Sequence, residues 1–144
     1  MKRTATATWW GTLREGKGEI SSESGVLSST PYSFGARFKE DKDKGTNPEE
    51  LVGAAHAGCF SMALSAALQK AGIDVERIDT EAQVTLEQVE GGLGITGIHL
   101  VTRVEAPGAD PEAFGEAANG AKTGCPVSKA LAATEITLEA TLVN

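Results

Sequence analysis

Residues 47–72 read NPEELVGAAHAGCFSMALSAALQKAG, and this stretch decides how the rest of the chain is interpreted. Asn47 is a favourable N-cap residue and Pro48 suits the first turn of a helix. The two glutamates that follow place negative charge at the positive end of the helix dipole. Residues 51–71 are mostly small and apolar, and Gly72 ends the pattern. The segment is therefore predicted to form one long α-helix.

This predicted helix is apolar on nearly every face. A helix at a protein surface normally shows a polar stripe, whereas only His56 and two serines interrupt the apolar residues before Gln69. We therefore expect the helix to be buried in the centre of the assembly. Its alanines and glycines leave room for another backbone to approach closely.

The flanking segments have the alternation that is typical of β-strands. Upstream, residues 4–10 read TATATWW and predict a strand, and two or three short strands are expected within residues 18–38. Downstream, residues 78–89 and 95–105 are predicted long strands, joined by the turn EGGLG at 90–94.

The remaining segments complete the order of elements. The mixed-charge stretch KEDKDKGT at 39–46 is predicted to be a linker, and helices are predicted at 110–122 and 126–133, followed by a strand at 135–143. Strands, a buried helix, two strands, helices and a strand make an α+β order rather than an alternating α/β order. We expect antiparallel sheets around the long central helix and a single domain over residues 1–144.

The composition excludes several classes of partner. The chain has 144 residues, with 20 acidic against 13 basic side chains and a net charge of −7. That balance disfavours a nucleic-acid interface and adsorption to anionic lipid. We expect no segment to be apolar over the about 20 residues that cross a bilayer, and the N-terminal residues lack the apolar core of a signal peptide. A cytoplasmic protein with no nucleic-acid and no membrane partner is therefore expected.

The two cysteines lie in different local settings. In a reducing compartment, a pair of cysteines is more often catalytic, redox-active or metal-binding than structural. Cys125 precedes Pro126 at the expected N-cap of a helix, where the helix dipole lowers the pKa of a thiol. Cys59 lies in the middle of the buried helix, where burial raises the pKa of a thiol unless a cation lies beside it. Local sequence alone favours Cys125 as the reactive thiol.

His56 lies three residues before Cys59 and shares its helix face. This spacing suits a Cys–His pair or half of a metal site, to which His99 would add a third ligand. The alternative is a core imidazole bonded to a backbone carbonyl, which is favoured because no CxxC or HxxxH pair accompanies these residues. A metal-binding or redox-sensor protein that uses Cys59, His56 and Cys125 stays open as a second function.

Three segments resemble known family motifs. Residues 47–64, NPEELVGAAHAGCFSMAL, closely resemble the first signature of the OsmC/Ohr family, the osmotically inducible and organic hydroperoxide resistance proteins. Residues 125–131, CPVSKAL, resemble the second signature, and residues 31–38, PYSFGARF, fit as well. The resemblance covers essentially the whole chain, and the two cysteine motifs together are specific. His56 and the segment around Arg37 place the chain nearer the OsmC branch than the Ohr branch.

The resemblance implies an enzyme that reduces organic hydroperoxides, and hydrogen peroxide more weakly, with thiols. Cys59 would be the peroxidatic thiol and Cys125 the resolving thiol, which reverses the ranking from local sequence. Peroxide would convert Cys59 to a sulfenic acid, which condenses with Cys125 to a disulfide. The resemblance implies no metal and no cofactor, and an external dithiol, carried by a lipoylated protein, as the reductant.

The resemblance also supplies the cation that a buried thiolate requires. Arg37 is implied as this cation, and Glu49 as the carboxylate that orients it through a two-point ion pair. Arg14 is the alternative to Arg37, because the Ohr branch takes its arginine from an earlier strand. Glu50 is the alternative to Glu49, and the competing interpretation of Glu50 is a simple helix-capping role. Without the resemblance, Arg37 is interpreted as a surface residue.

Two further expectations concern the surroundings of the thiol. The aromatic residues and the methionine near the motifs would suit an alkyl tail; they are Phe34, Phe38, Phe60 and Met62, and the phenylalanines are core residues by default. A helix rises about 15 Å over ten residues, so Glu49 and Cys59 of one unbroken helix cannot be neighbours. The resemblance nevertheless implies that both lie around one arginine, and 144 residues can hardly cover the nearly all-apolar helix alone. We therefore expect an obligate, intertwined homodimer, in which the second subunit brings its Glu49, with or without its Arg37, to Cys59.

Overall fold

The structure, a computed structural model, describes residues 1–38 and 44–143. Most of the predicted linker, residues 39–43, lies outside the described residues. The contacts divide the chain into two compact units, Met1–Leu51 and Val52–Asn144. Each unit contains a three-stranded sheet, and the mixed α+β class predicted from the sequence is confirmed.

The first unit is built on a small antiparallel sheet. Its strands are β1 (Ala5–Trp10), β2 (Lys17–Ser22) and β3 (Thr30–Tyr32), in that spatial order. A five-residue helix, α1 (Phe34–Phe38), follows the sheet where only strands were expected. Ser33 starts α1, because its hydroxyl accepts the backbone N–H of Ala36 at 3.0 Å.

The long helix α2 spans Pro48–Lys70 and closely follows the predicted bounds. The Asn47 side chain accepts the backbone N–H of Glu50 at 2.8 Å and so caps the first turn. Gly72 has a φ of 75°, a left-handed conformation that side chains disfavour, and the helix ends just before it.

Only one face of α2 is buried within the chain, so the expected burial on every face is not met by a single copy. The buried side chains recur at intervals of three and four residues: Gly53, His56, Phe60, Leu64 and Leu68. The opposite face is exposed and mostly apolar, and it comprises Ala54, Ala55, Gly58, Met62, Ser65, Ala66 and Gln69.

The second unit holds the larger sheet. Strands β4 (Arg77–Val89) and β5 (Gly92–Glu105) form the predicted antiparallel hairpin. They are followed by α3 (Pro111–Gly124), α4 (Pro126–Ala130) and the C-terminal strand β6 (Glu135–Val143). The sheet has the order β4-β5-β6.

The expectation of wholly antiparallel sheets is wrong for β6, which pairs with β5 in parallel. The physical reason is the connection between the two strands, because α3 and α4 carry the chain back along the sheet before β6 begins. A crossover of this kind is what parallel neighbours require. The helix predicted at 126–133 is also shorter than expected and ends at Ala130.

Helix α2 closes one side of the core of the second unit. A methyl group at Gly53 would lie 3.3 Å from the carbonyl oxygen of Ala82, so this glycine permits a close approach to β4. The Ser61 hydroxyl bonds that of Thr80 at 2.8 Å. Helix α2 and strand β5 supply much of the fully buried core, including Phe60, Leu64, Leu68, Ile98, Leu100 and Val104.

One helix of the described chain, α2, is long and apolar enough to span a membrane by length and composition. The expectation that no segment reaches this length is therefore wrong. The core helix of a soluble protein passes the same test, and the buried face of α2 belongs to such a core.

Candidate active site

The first unit holds a two-point ion pair between Arg37 and Glu49. Arg37 lies on α1 and Glu49 in the first turn of α2. Nη2 of Arg37 donates to Oε1 of Glu49 at 2.6 Å, and Nε donates to Oε1 and Oε2 at 3.2 and 3.1 Å. The two side chains are 31% and 12% exposed. Two donors on one carboxylate fix the plane of the guanidinium as well as its position.

The two alternatives from the sequence have other partners. The guanidinium of Arg14 lies 5.0 Å from the ring centre of Phe34 and makes a cation–π contact. Oε1 of Glu50 accepts a hydrogen bond from the hydroxyl of Thr46 at 3.2 Å. The structure thus pairs Arg37 with Glu49 rather than with Glu50.

An apolar cleft of about 330 Å³ opens beside Arg37. Its walls are mainly aromatic and aliphatic side chains: Trp9, Leu13, Tyr32, Ser33, Phe34, Arg37, Phe38 and Pro48. The rings of Phe34 and Phe38 lie 4.7 Å apart between their centres. A cleft with this lining can hold an alkyl or aryl group next to a positive charge.

The three phenylalanines and the methionine singled out from the sequence thus separate into three environments. Phe34 and Phe38 line the cleft, and Phe38 is 40% exposed, so the expectation that it is a core residue is wrong. Phe60 is fully buried in the core of the second unit, and Met62 is 77% exposed on α2. Neither of the last two lines this cleft.

The second unit brings the two cysteines together. Cys59 on α2 is half-buried, Cys125 is fully buried between α3 and α4, and both are free thiols. Burial raises the pKa of Cys59, the backbone N–H of Val127 opposes this by lowering the pKa, and the neighbouring Cys125 thiol raises it again. These influences, drawn from the described residues, include no cation, so the thiol form of Cys59 is favoured here.

Cys125 occupies the N-cap of α4, as predicted from Pro126. Its sulfur accepts the backbone N–H of Ser128 at 3.3 Å, and its S–H donates to the Ser128 hydroxyl at 3.1 Å. Ser128 is the site residue that sequence analysis missed. The available signal was its position three residues after an N-cap residue, where the backbone N–H meets the capping side chain.

His56 is joined to Cys125 through Ser128. Its Nε2 lies 2.7 Å from the Ser128 hydroxyl, and the imidazole is fully buried. Both interpretations from the sequence are therefore incomplete, because the partner is neither the Cys59 thiol nor a backbone carbonyl. Burial lowers the pKa of His56, so the neutral imidazole is favoured.

The metal interpretation receives no support from the geometry. Across residues 1–38 and 44–143, no group of three or more His, Cys, Asp or Glu side chains is arranged to hold an ion. His99, the proposed third ligand, lies on β5 and its Nδ1 is 2.7 Å from the hydroxyl of Thr137. Two adjacent thiols are suited instead to reversible disulfide chemistry.

Comparisons with known proteins agree with this chemistry. The family model described as OsmC-like protein matches residues 41–140. The chain is 52% identical to Peroxiredoxin OsmC of Escherichia coli over 139 residues, which cover 96% of this chain and 95% of that protein. It is 37% identical to the organic hydroperoxide resistance protein OhrB of Bacillus subtilis over 122 residues, which cover 83% of this chain and 85% of that protein.

Solved structures share the fold. The crystal structure of Bacillus subtilis OhrB superposes with a TM-score of 0.68 at 30% identity, covering 97% of this chain and 98% of the other. An OsmC-like protein of unknown function from Vibrio cholerae superposes with a TM-score of 0.77 at 18% identity, covering 97% and 99%.

The family resemblance read from the two cysteine motifs is therefore confirmed. The higher identity to the OsmC relative than to OhrB is consistent with the OsmC branch. The names of these relatives are consistent with an enzyme of the cysteine-based peroxidase type. Because a family model matches most of the chain and one relative is 52% identical over nearly all of it, this chain belongs to the OsmC-like protein family.

Proposed function

We propose that the protein reduces organic hydroperoxides to alcohols, and hydrogen peroxide more weakly, with Cys59 as the attacking thiol and Cys125 as the resolving thiol. The observation that carries this proposal is the half-exposed Cys59 thiol beside the buried Cys125 thiol, both of them free. Relatives named peroxiredoxin and organic hydroperoxide resistance protein support the class of substrate.

The reaction proceeds in three steps in this proposal. The Cys59 thiolate attacks the distal oxygen of the hydroperoxide, an S–O bond forms, the O–O bond breaks and the alcohol leaves after protonation. The Cys125 thiol then attacks the sulfenic sulfur, so that a disulfide forms and water leaves. An external dithiol, which we propose is the dihydrolipoyl group of a lipoylated protein, reduces the disulfide by two thiol exchanges.

The first step requires a cation, because burial raises the pKa of Cys59. A guanidinium beside the sulfur would favour the thiolate and would also stabilise the charge that develops on the leaving oxygen. We assign this role to Arg37. Its two-point pairing with Glu49 holds the guanidinium in one orientation and is the observation that favours it over Arg14.

A homodimer would combine these elements into one site. Helix α2 runs without a break from Pro48 to Lys70, as the argument for a shared site assumes. One face of this helix remains exposed and mostly apolar in the single chain, and such a face requires a partner. A second copy, related by two-fold symmetry, is the occupant that we propose, and its Arg37 and Glu49 would serve Cys59 of the first copy.

Light scattering tests the dimer. Met62 is 77% exposed on the apolar face of α2, so Met62→Lys should convert a dimer into an inactive monomer or a weakly associated species. Val26→Lys is the matched control, because Val26 is 85% exposed in the turn between β2 and β3. An active wild-type monomer would contradict both the dimer and the shared site.

The cleft lined by Phe34 and Phe38 is proposed to hold the organic part of the substrate. Its apolar walls favour an alkyl or aryl group, for which hydrogen peroxide has no equivalent. Arg37 also packs on the Phe38 ring, 5.3 Å from its centre, so Phe38→Ser should lower kcat/KM for both peroxides but more strongly for cumene hydroperoxide. Equal losses for both peroxides would contradict this role.

Peroxide turnover is the decisive test of the proposed function. The wild-type protein should consume cumene hydroperoxide with dithiothreitol or dihydrolipoamide, and Cys59→Ser should not. Turnover that persists in Cys59→Ser would contradict the enzymatic proposal.

We also propose that residues 1–144 form one OsmC-like domain located in the cytoplasm. This proposal predicts a single cooperative unfolding transition and recovery of the protein in the cytoplasmic fraction.

A further inference from the structure

A continuous line of hydrogen bonds runs behind the resolving thiol. It joins the S–H of Cys125 to the hydroxyl of Ser128 at 3.1 Å, and this hydroxyl to Nε2 of His56 at 2.7 Å. All three residues are buried, and Ser128 and His56 are 72 residues apart in sequence. The proposed peroxidase steps use neither Ser128 nor His56.

The directions of these bonds follow from the available hydrogens. The Ser128 oxygen accepts the S–H of Cys125, so its own hydrogen is free to be donated to Nε2 of His56. Nε2 is then the acceptor and the imidazole hydrogen lies on Nδ1. This assignment agrees with burial, which lowers the pKa of His56 and favours the neutral ring.

His56 leaves its second nitrogen without a partner. Among the described residues, Nδ1 of His56 is the buried side-chain nitrogen or oxygen that has no hydrogen-bond partner. Buried polar atoms in folded proteins are almost always paired with protein groups or with ordered water. The described contact that orients the ring is the short bond between Nε2 and the Ser128 hydroxyl.

Ser128 also connects this line to the protein surface. It lines a pocket of about 410 Å³, together with Lys122, Thr123, Lys129, Ala132, Thr134 and Ile136. Solvent in this pocket can exchange protons near Ser128, although Cys125 itself is fully buried.

We propose that Ser128 and His56 form a proton relay that activates Cys125 for closure of the disulfide. The inference rests on the proposed function, since it concerns the step that follows oxidation of Cys59. Ser128 touches the reacting sulfur, whereas His56 acts through Ser128 and is a positioning residue that also holds the proton.

The proton and electron balance of the step is complete. The S–H proton of Cys125 moves to the Ser128 oxygen while the Ser128 proton moves to Nε2 of His56. The Cys125 thiolate attacks the sulfenic sulfur of Cys59, the S–S bond forms and the S–O bond breaks. The departing hydroxide takes a proton from water, and the relay returns one to water through Ser128. The net reaction converts one sulfenic acid and one thiol to a disulfide and water.

The relay predicts that the two oxidation steps respond differently to mutation. After one equivalent of cumene hydroperoxide, rapid quenching with dimedone measures the sulfenic acid at Cys59, and loss of the second free thiol, that of Cys125, measures closure. In Ser128→Ala and His56→Gln, sulfenic acid should form within about twofold of the wild-type rate. Closure should slow by about 10²-fold in both variants, the scale of proton-transfer catalysis, and the sulfenic acid should accumulate.

Two controls separate proton transfer from packing. Ser128→Thr keeps the hydroxyl and should close at nearly the wild-type rate. Ser61→Ala removes a hydroxyl that lies on α2 and bonds Thr80 rather than a thiol. The disulfide of this variant should also close at the wild-type rate. Ser128→Ala removes a single oxygen, so the test stands even if His56→Gln does not fold.

Each outcome has a distinct meaning. If wild-type protein forms neither sulfenic acid nor disulfide with peroxide, the proposed function fails and the relay fails with it. If sulfenic acid forms but Ser128→Ala and a folded His56→Gln close at the wild-type rate, only the relay is overturned. Slow closure in Ser128→Thr equal to that in Ser128→Ala would also overturn it, because the hydroxyl would then not be the active feature.

Discussion

The cluster around Arg37 and the cluster around Cys59 differ in almost every physical property. The first is charged and partly exposed, and it adjoins an apolar cleft. The second is neutral and mostly buried, and its polar atoms are linked by thiol, hydroxyl and imidazole hydrogen bonds. The Arg37 cluster contributes a positive charge, and the Cys59 cluster contributes two thiols, with no cation among the described influences on the Cys59 pKa.

This difference explains why the proposed peroxidase reaction needs both clusters. The second cluster alone favours the thiol form of Cys59, because burial raises its pKa. In the proposed function, the first cluster would bind and polarise the peroxide but would transfer no electrons. The proposed dimer would bring a charge pair of one copy to a thiol pair of the other, and the following predictions test this division of labour.

The largest effect is expected at the nucleophile. Cys59→Ser should abolish peroxide turnover, whereas Cys125→Ser should consume about one peroxide per site and then stall as a sulfenic acid. Single-turnover assays with stoichiometric peroxide measure both. If Cys125→Ser is inactive even for the first equivalent, the two roles are reversed; if it keeps full steady-state turnover with a dithiol, it is not the resolving thiol.

The next effect is expected at the charge. Arg37→Ala should slow oxidation of Cys59 by about 10²-fold or more and raise its thiol pKa, because the thiolate loses its cation. Arg37→Lys should recover only part of the rate, since lysine keeps the charge but not the two-point fork to Glu49. Thiol titration and stopped-flow oxidation provide the measurements.

Arg14→Ala is the matched control for the arginine. Arg14 packs on the ring of Phe34 and has no ion pair with Glu49 among the described contacts. Its removal should leave the Cys59 titration unchanged. A normal titration in Arg37→Ala together with a shifted one in Arg14→Ala would transfer the role to Arg14.

A smaller but more specific effect is expected when inactive subunits are mixed. Cys59→Ser supplies an intact Arg37–Glu49 pair, and Glu49→Ala supplies an intact Cys59. If each site is shared, a mixed dimer has one working site of two, and equal random mixing should restore about a quarter of wild-type activity. Mixtures that remain inactive, although mass spectrometry shows subunit exchange, would mean that each site is built from one chain.

The sequence predicted those elements whose signals are local. Asn47 and Gly72 marked the ends of α2, and the glycines of the turn at 90–94 marked the hairpin of β4 and β5. Helix α1 was missed because five residues are too few to show a helical period, and only Ser33 signalled its start. The direction of β6 was missed because it depends on where α3 and α4 return the chain.

In the candidate site, too, features with a local sequence signal were predicted and long-range contacts were not. The N-cap position of Cys125 was visible in the dipeptide Cys-Pro, and the effect of burial on Cys59 followed from its place in an apolar helix. The bond between His56 and Ser128 joins residues 72 positions apart, and no local pattern encodes it. The assignment of Cys59 as the attacking thiol came from the family motifs and stays a prediction.

The smallest effect concerns pH and stability in the neutral cluster. Burial lowers the pKa of His56 in the folded chain, while an unfolded histidine has a pKa of about 6.5. At a pH between the folded and the unfolded pKa of His56, the unfolded chain binds a proton that the folded chain does not bind. The free energy of unfolding should therefore fall as the pH drops below about 6.5 and stop falling, for this group, below the folded pKa. Above about 6.5 His56 should contribute no pH dependence.

Urea unfolding of wild type and His56→Gln across this pH range isolates the contribution of His56, because other titrating groups largely cancel in the difference. The variant should be less stable than wild type at neutral pH, since glutamine replaces a buried ring, and the gap should narrow on acidification. A gap that widens on acidification would mean that folded His56 is the better proton acceptor, and the neutral ring required for the relay would then be wrong.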